Sequence, residues 1–249
     1  MTTNERAAIR ADYEALFSLW DPSLDGLLRI SPETVRHFLA YAAVPWSSPA
    51  LTKKEKALLS LAVHVSATTL YAPGIEYYGR LARHHGATKA EVVEVIQIVS
   101  VVGIHAATTG LPIAFDVFAD EPEAAEGDAH ASLRESFAAK RGYWNDILES
   151  LLRASPAFLE SYTEFSSVPW REGALPACFK ELLYVAMNAS ATHLFEPGLN
   201  IHIANARRHG ATLPQLVEVL QLTALLGQAS LSLGAAALAD AFSGTEVQP

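Results

Sequence analysis

The chain repeats itself at a constant spacing, and this repeat limits its possible folds more than any other feature. The segment RHHGATKAEVVEVIQ (83–97) returns 124 residues later as RRHGATLPQLVEVLQ (207–221). The same spacing relates tryptophans and prolines upstream, so residues 9–116 correspond to residues 133–240 without a gap. A unit of this length is a small domain rather than a solenoid repeat. We therefore predict a tandem duplication.

The duplication predicts two domains within the 249 residues. We assign residues 1–118 to the first repeat and residues 132–249 to the second. The segment between them, 119–131, is acidic and rich in alanine, as is typical of a linker. Half of the residues are hydrophobic and 18% are charged, which is enough apolar material for a large core.

Charge and hydropathy narrow the possible partners and location. The net charge is −9 and no basic stripe is present, so we expect neither nucleic acid nor a membrane surface as a partner. The first residues lack the apolar core of a signal peptide. The longest apolar segment (92–115) contains Glu94 and His105 and is predicted to be a buried helix rather than a membrane span. With Cys178 as the single cysteine, no intrachain disulfide can form, and we expect a cytoplasmic protein.

Local signals favour helices throughout, and no segment alternates like a strand. Thr52 can cap a helix, Thr88 and Glu91 form a capping box, and Gly86 can end a helix. YAPG (71–74) is expected to break the preceding helix at its proline. The prediction is an all-α fold of two bundles related by a pseudo-twofold axis. Its core helices are expected at 53–70, 74–85 and 89–117, and again at 177–194, 198–209 and 213–241.

The third core helix of each repeat is apolar nearly all round, so a lone repeat could not hide it. Small residues near Gly103 and Gly227 permit close approach of helices. We therefore predict that the two repeats pack through these helices.

An ordered set of motifs resembles the carboxymuconolactone decarboxylase/alkylhydroperoxidase D-like superfamily. The second repeat carries KELL (180–183), His202, GAT (210–212) and VEVLQ (217–221), and the first carries GAT (86–88) and VEVIQ (93–97). The resemblance covers most of the chain. It implies a tandem form of that helical fold, with active sites near the paired core helices. It also implies a homo-oligomer, a dimer or, as we prefer, a trimer.

One branch of the superfamily carries Cys-x-x-Cys just before the motif histidine, and this chain does not. Phe195 and Gly198 occupy those places in the second repeat, and Tyr71 and Gly74 occupy them in the first. Peroxidase chemistry needs an attacking thiolate and a resolving partner. The chain is therefore not expected to be a cysteine peroxidase.

The repeats differ where the resemblance places chemistry. Glu181 and His202 of the second repeat correspond to Ala57 and Tyr78 of the first, and such a change in a core is not neutral. We predict His202 and Glu181 as the catalytic pair. Asn188 lies two turns after Glu181 on the same helix face, which in the first repeat carries His64. The pseudo-twofold arrangement predicts a pocket that Glu181, Asn188, His202 and His64 share.

Further candidates for substrate binding are His105, His193, Tyr71, Tyr78 and Phe195. Their aromatic rings suit a flat, unsaturated ligand. Several candidates have a purely structural alternative. Glu181 can instead form an ion pair, and His202, His64 and His105 can be hydrogen-bonded residues of the core. His193 can lie at the surface. A metal held by His64, His105, His202 and Glu181 is not predicted, because no HxxxH or HExxH spacing exists. No phosphate loop or dinucleotide motif is present, so a cofactor-free reaction is expected.

The resemblance implies decarboxylation next to an electron-withdrawing carbonyl. We therefore expect a cofactor-independent lyase that acts on a small carboxylated or lactone-containing metabolite, with His202 as the acid and Glu181 orienting it. Two alternatives remain: a hydrolase or isomerase with the same pair, or a binding or scaffold protein without activity.

Overall fold

A computed structural model describes residues 3–120 and 128–239, and within these ranges the chain is helical and contains no strand. The first repeat comprises α1 (Thr3–Phe17), α2 (Asp25–Ile30), α3 (Pro32–Ser47), α4 (Lys53–Val65), α5 (Ala72–His84), α6 (Lys89–Val99) and α7 (Ile104–Val117). The second comprises α8 (Asp128–Arg141), α9 (Glu149–Ala154), α10 (Pro156–Ser166), α11 (Val168–Glu172), α12 (Ala177–Ala189), α13 (Glu196–Arg208), α14 (Leu213–Ala224) and α15 (Gln228–Ala239). The all-α prediction is confirmed.

The predicted capping signals act as expected. Thr52 and Thr88 accept backbone hydrogen bonds at the starts of α4 and α6, and each completes a capping box with a glutamate three residues later. Thr212 does the same for α14 with Gln215. Gly86 adopts a φ of 86° where α5 ends, a conformation that costs glycine little.

Two helix boundaries differ from the prediction. The helices predicted at 53–70 and 177–194 already end at Val65 and Ala189, and YAPG opens the next helix instead of closing the last one. Its proline lies in the first turn of α5, where a missing N–H costs nothing because that group has no partner within the helix. The long third helices are each divided by a 3₁₀ turn, at Ser100–Gly103 and Leu225–Gly227.

The predicted linker is only partly covered by the structure. Residues 121–127 lie outside the described ranges, as do residues 240 and 241 of the last predicted helix. Helix α8 begins at Asp128, so residues 128–131 belong to a helix.

The repeats interlock through their central and closing helices. Helices α4 and α12 contact each other in the middle, and each also contacts both α6 and α14. The closing helices cross over, so that α7 packs on α9 of the second repeat and α15 packs on α2 of the first. The predicted packing through the third helices is confirmed, because both halves of each one contact the other repeat. The close approach expected at Gly103 and Gly227 is wrong: beyond its chain neighbours and its own helix backbone, a Cβ at either glycine would meet no atom of the described chain within 4 Å.

Two buried ion pairs join the repeats at matched positions. Lys56 Nζ lies 3.0 Å from Glu218 Oε1, and Lys180 Nζ lies 2.9 Å from Glu94 Oε1. All four side chains are almost fully buried. Glu94 and Glu218 belong to the VEVIQ and VEVLQ motifs. Their ion pairs were not predicted from the sequence. This motif therefore places a buried ion pair at each of two matched contacts between the repeats.

Two segments are long and apolar enough to cross a membrane by length and composition alone. They are Lys89–Val117 and Leu213–Leu238, with mean hydropathies of 1.7 and 1.4. Each contains one of the buried glutamates just described and one of the 3₁₀ turns.

Candidate active site

Glu181 and His202 form a buried hydrogen-bonded pair between α12 and α13. His202 Nδ1 lies 2.7 Å from Glu181 Oε2, and Asn205 Nδ2 approaches the other carboxylate oxygen at 3.5 Å. The ring of Tyr184 stacks on the imidazole with centroids 4.4 Å apart. Among the described residues, Nε2 of His202 has no hydrogen-bond partner. A carboxylate that holds Nδ1–H fixes the ring and leaves Nε2 for proton transfer.

His202 borders a small cavity to which both repeats contribute. Its volume is about 40 Å³, well below the roughly 300 Å³ or more of an open ligand pocket. A metabolite therefore needs some wall residues to move. The first repeat supplies Val101, Ile104, His105 and Thr108, and the second supplies His202, Arg141, Tyr143, Tyr162, Tyr184 and Phe195 among others.

Arg141, at the end of α8, brings a positive charge to the cavity wall. Its side chain is 3% exposed. Nη1 donates to the Ser166 carbonyl at 2.9 Å, and Nη2 donates to the Tyr184 hydroxyl at 3.3 Å. Burial raises the pKa of the neighbouring Tyr143 to about 12, so that hydroxyl keeps its proton. Arg141 was not predicted from the sequence, although the matched Phe17 of the first repeat is a signal of the same kind that revealed Glu181 and His202.

His105 and Phe195 form the outer wall of the cavity, and His193 contacts them from the side of a surface groove. His105 Nδ1 and His193 Nε2 are hydrogen-bonded at 2.7 Å, and the Phe195 ring stacks on His105 with centroids 3.9 Å apart. Burial, with His193 and His202 nearby, lowers the pKa of His105 to about 3, so its ring is neutral. His105 and Phe195 also line an open surface groove, and they therefore separate that groove from the cavity.

Asn188 supports the wall from behind. Its Nδ2 donates to the Tyr184 carbonyl at 2.8 Å. A Cβ placed on Gly198 would lie 2.4 Å from Asn188 Oδ1, so α12 and α13 touch closely there. Gly198 is one of the two places where the related peroxidases carry cysteine, and this contact leaves no room for one unless Asn188 moves.

Three predicted site residues lie elsewhere. His64, Tyr71 and Tyr78 pack against one another in the first repeat and do not line the described cavity. The expectation that the pseudo-twofold arrangement would bring His64 to His202 is therefore corrected. His64 Nδ1 instead donates to the Ser60 carbonyl at 2.7 Å, and burial lowers the pKa of His64.

In the first repeat, the position that corresponds to His202 is occupied by Tyr78, which belongs to a hydrogen-bonded network. The Tyr78 hydroxyl donates to Gln228 Oε1 at 3.3 Å, and Gln228 Nε2 donates to Asp21 Oδ2 at 2.6 Å. Gln228 lies in α15 of the second repeat, and its counterpart Ile104 lies in α7 of the first repeat and lines the cavity. At both positions, therefore, one contacting side chain comes from the opposite repeat. In residues 3–120 and 128–239, no three His, Cys, Asp or Glu side chains are grouped so that they could hold a metal.

Comparison with known proteins agrees with this architecture. The model of the carboxymuconolactone decarboxylase family matches residues 32–116 and, again, residues 156–241. A Burkholderia xenovorans LB400 protein of known structure, provisionally named a gamma-carboxymuconolactone decarboxylase subunit, is 38% identical. It aligns over 95% of this chain and 96% of that one with a TM-score of 0.91. No curated protein matches significantly. The chain therefore belongs to the carboxymuconolactone decarboxylase family, as a tandem form that lacks the Cys-x-x-Cys motif.

Proposed function

We propose that the protein is a cofactor-independent lyase that removes carbon dioxide from a small carboxylated or lactone-containing metabolite. The observation that carries this proposal is the buried Glu181–His202 pair, whose Nε2 is available at the wall of a cavity. Family membership and the decarboxylase name of the structural relative support the reaction class.

The proposed chemistry is a loss of carbon dioxide followed by the return of a proton. Cleavage of the C–C bond leaves its electron pair on the carbon next to a carbonyl, which takes up the charge as an enolate. Protonated His202 then donates a proton from Nε2 to that carbon. Glu181 stabilises the imidazolium and fixes its orientation through Nδ1. The aromatic wall of Tyr143, Tyr162 and Tyr184 suits a flat unsaturated ring.

We propose one such site per chain. Glu181 and His202 have no acid/base counterparts in the first repeat, where Ala57 and Tyr78 stand. The matched first-repeat position holds the Tyr78–Gln228–Asp21 network described above. Saturation with a tight inhibitor should therefore require one equivalent per chain.

The test measures carbon dioxide release from a panel of β-keto acids and lactone carboxylates. For a substrate that turns over, His202→Asn should lower kcat by about 10²–10⁴-fold, the usual contribution of a general acid. Glu181→Gln should also lower kcat, because the imidazolium then loses its counter-charge. If both variants keep wild-type turnover, the assignment of the pair fails. Ring opening or isomerisation without carbon dioxide would instead favour a hydrolase or isomerase.

Two variants serve as matched controls. Tyr78→Phe changes the first-repeat residue that corresponds to His202, and turnover should stay the same. Cys178→Ser removes the single thiol, which is half-buried and whose pKa is raised, mainly by burial. Unchanged turnover is expected here too, whereas a loss would point to thiol chemistry.

A further inference from the structure

The charge of Arg141 is buried beside the cavity without a carboxylate to balance it. Arginine remains cationic even when it is buried. In the described chain no Asp or Glu oxygen forms an ion pair with this guanidinium, although Glu181 is close enough to influence it. Burying an unpaired charge is costly, so a structure that keeps one points to a role for it.

Neutral groups hold the guanidinium in place instead of an acid. The rings of Phe137, Tyr143, Trp170 and Tyr184 surround it, with Cζ-to-centroid distances of 5.4–6.0 Å. Aromatic faces attract a cation without neutralising it. The two hydrogen bonds to Ser166 and Tyr184 leave N–H groups of the guanidinium unused, and Nε has no partner among the described residues.

The first repeat shows that the surrounding helices do not require this charge. Phe17 stands at the matched position and packs on Trp46 with centroids 4.6 Å apart. Arg141 is therefore present only in the repeat that also has Glu181 and His202. Arg141 and His202 both line the cavity, and Glu181 is hydrogen-bonded to His202 behind its wall. Three groups that differ together at one place indicate a shared role.

We propose that Arg141 is the anion-binding group of this cavity and holds a carboxylate of the substrate that survives the reaction. This inference rests on the proposed function for the place of the reacting carbon, at His202. A guanidinium on the departing carboxylate would stabilise the charge that must leave it and would slow its loss. The substrate class is therefore a flat, unsaturated acid that keeps one carboxylate on Arg141 and reacts at its other end.

The experiment measures binding and needs no turnover. The dissociation constants of 2-furoate, sorbate and benzoate are compared with those of their neutral methyl esters by ligand-observed NMR, for the full chain and its variants. The wild type should prefer at least one carboxylate over its ester by about tenfold or more. Arg141→Met should abolish that preference and Arg141→Lys should keep part of it. The ratio of two dissociation constants does not depend on the folded fraction, so a loss of stability does not imitate this result.

Two further variants test whether the preference for a carboxylate depends on Arg141 in particular. Arg207→Met makes the same charge change at an exposed position of α13 and should keep the wild-type preference. His202→Asn should also keep it while turnover is lost. The proposal is overturned if no carboxylate binds the wild type better than its ester, if Arg141→Met keeps the preference, or if His202→Asn removes it. A carboxylate preference without carbon dioxide release from any panel compound would leave this inference standing and overturn the decarboxylase proposal.

Discussion

Two side chains that line the cavity, and a third that is hydrogen-bonded to one of them, differ between the repeats. Glu181, His202 and Arg141 are polar or charged, and their first-repeat counterparts are alanine, tyrosine and phenylalanine. The first two could be found from the sequence because family motifs pointed to them. Arg141 could not, because it lies outside those motifs and only the folded chain brings α8 beside α12. The prediction that His64 shares a pocket with His202 failed for a related reason. The sequence shows that residues lie on the same helix face, but not which other helix that face contacts.

A buried carboxyl group in the first repeat predicts a pH effect on stability. Burial raises the pKa of Asp21 above its ordinary value of 3.8, against the opposing influence of Ser23, Arg80 and Gln228. The native state then holds this proton more tightly than the unfolded chain. The resulting stabilisation is complete below that ordinary pKa, which the unfolded chain keeps, and is lost as pH rises through the native pKa.

Asp21→Asn should therefore gain stability relative to the wild type as pH rises from about 4 towards 7. Asparagine fits this position, because the matched Asn145 accepts a backbone hydrogen bond from Ile147 as Asp21 does from Ser23. The measurement is the free energy of unfolding of both proteins in guanidinium chloride across this range. A difference between them that does not change with pH would contradict the prediction.

Among the elements, helix starts were predictable and helix ends were less so. A capping threonine acts on the next three residues, so Thr52 and Thr88 could be recognised locally. Pro73 could either end one helix or begin the next, and the sequence favoured the wrong choice. The 3₁₀ turn that divides each long helix was not predicted, because the glycine that ends it, Gly103 or Gly227, was interpreted as a site of close helix packing.

The buried ion pairs between the repeats predict that removing one charge lowers the stability of the fold substantially. Glu94→Gln leaves Lys180 buried without a counter-charge and should lower the free energy of unfolding by about 3–5 kcal/mol. The glutamine oxygen can still accept the backbone hydrogen bonds of Ala174 and Leu175 that Glu94 accepts now. Chemical denaturation of the single variant and of Glu94→Gln with Lys180→Met measures the effect, and the double variant should recover part of the loss.

A surface ion pair supplies the control. Arg10 and Glu14 are both about half exposed, so Glu14→Gln should cost less than about 1 kcal/mol. If Glu94→Gln costs no more than Glu14→Gln, the pairs between repeats do not stabilise the fold as we infer.

For the whole molecule, the sequence predicted two copies of one bundle and contact between them through the third helices, which the structure confirms. It did not predict the geometry of that contact, because the glycines expected at the closest approach face open space. The crossing of α7 and α15 to the opposite repeat depends on contacts between residues far apart in the chain. Local patterns carry no information about such contacts.

We propose that the chain assembles into a homo-oligomer, preferably a trimer, through α6 and α14. Matched apolar side chains are exposed there: Val93, Ile96, Val217 and Leu220 are 41–45% exposed. A repeated apolar patch of this kind marks a contact surface. Light scattering should give about three times the chain mass of 26.8 kDa. Ile96→Glu with Leu220→Glu should lower that mass, whereas Ala40→Glu, at an exposed position of α3, should not. A monomer in the wild type would refute the proposal.

The crossing of α7 and α15 to the opposite repeat also affects how the sequence of such a protein can evolve. In a pair of identical units, every inherited substitution appears at both sites, so neither can be altered alone. Here α7 closes one position and α15 the other, and separate stretches of the same gene encode them. A mutation in one stretch leaves its counterpart untouched. One position was therefore free to acquire the hydrogen-bonded network of Tyr78, Gln228 and Asp21 while the other kept the cavity beside His202.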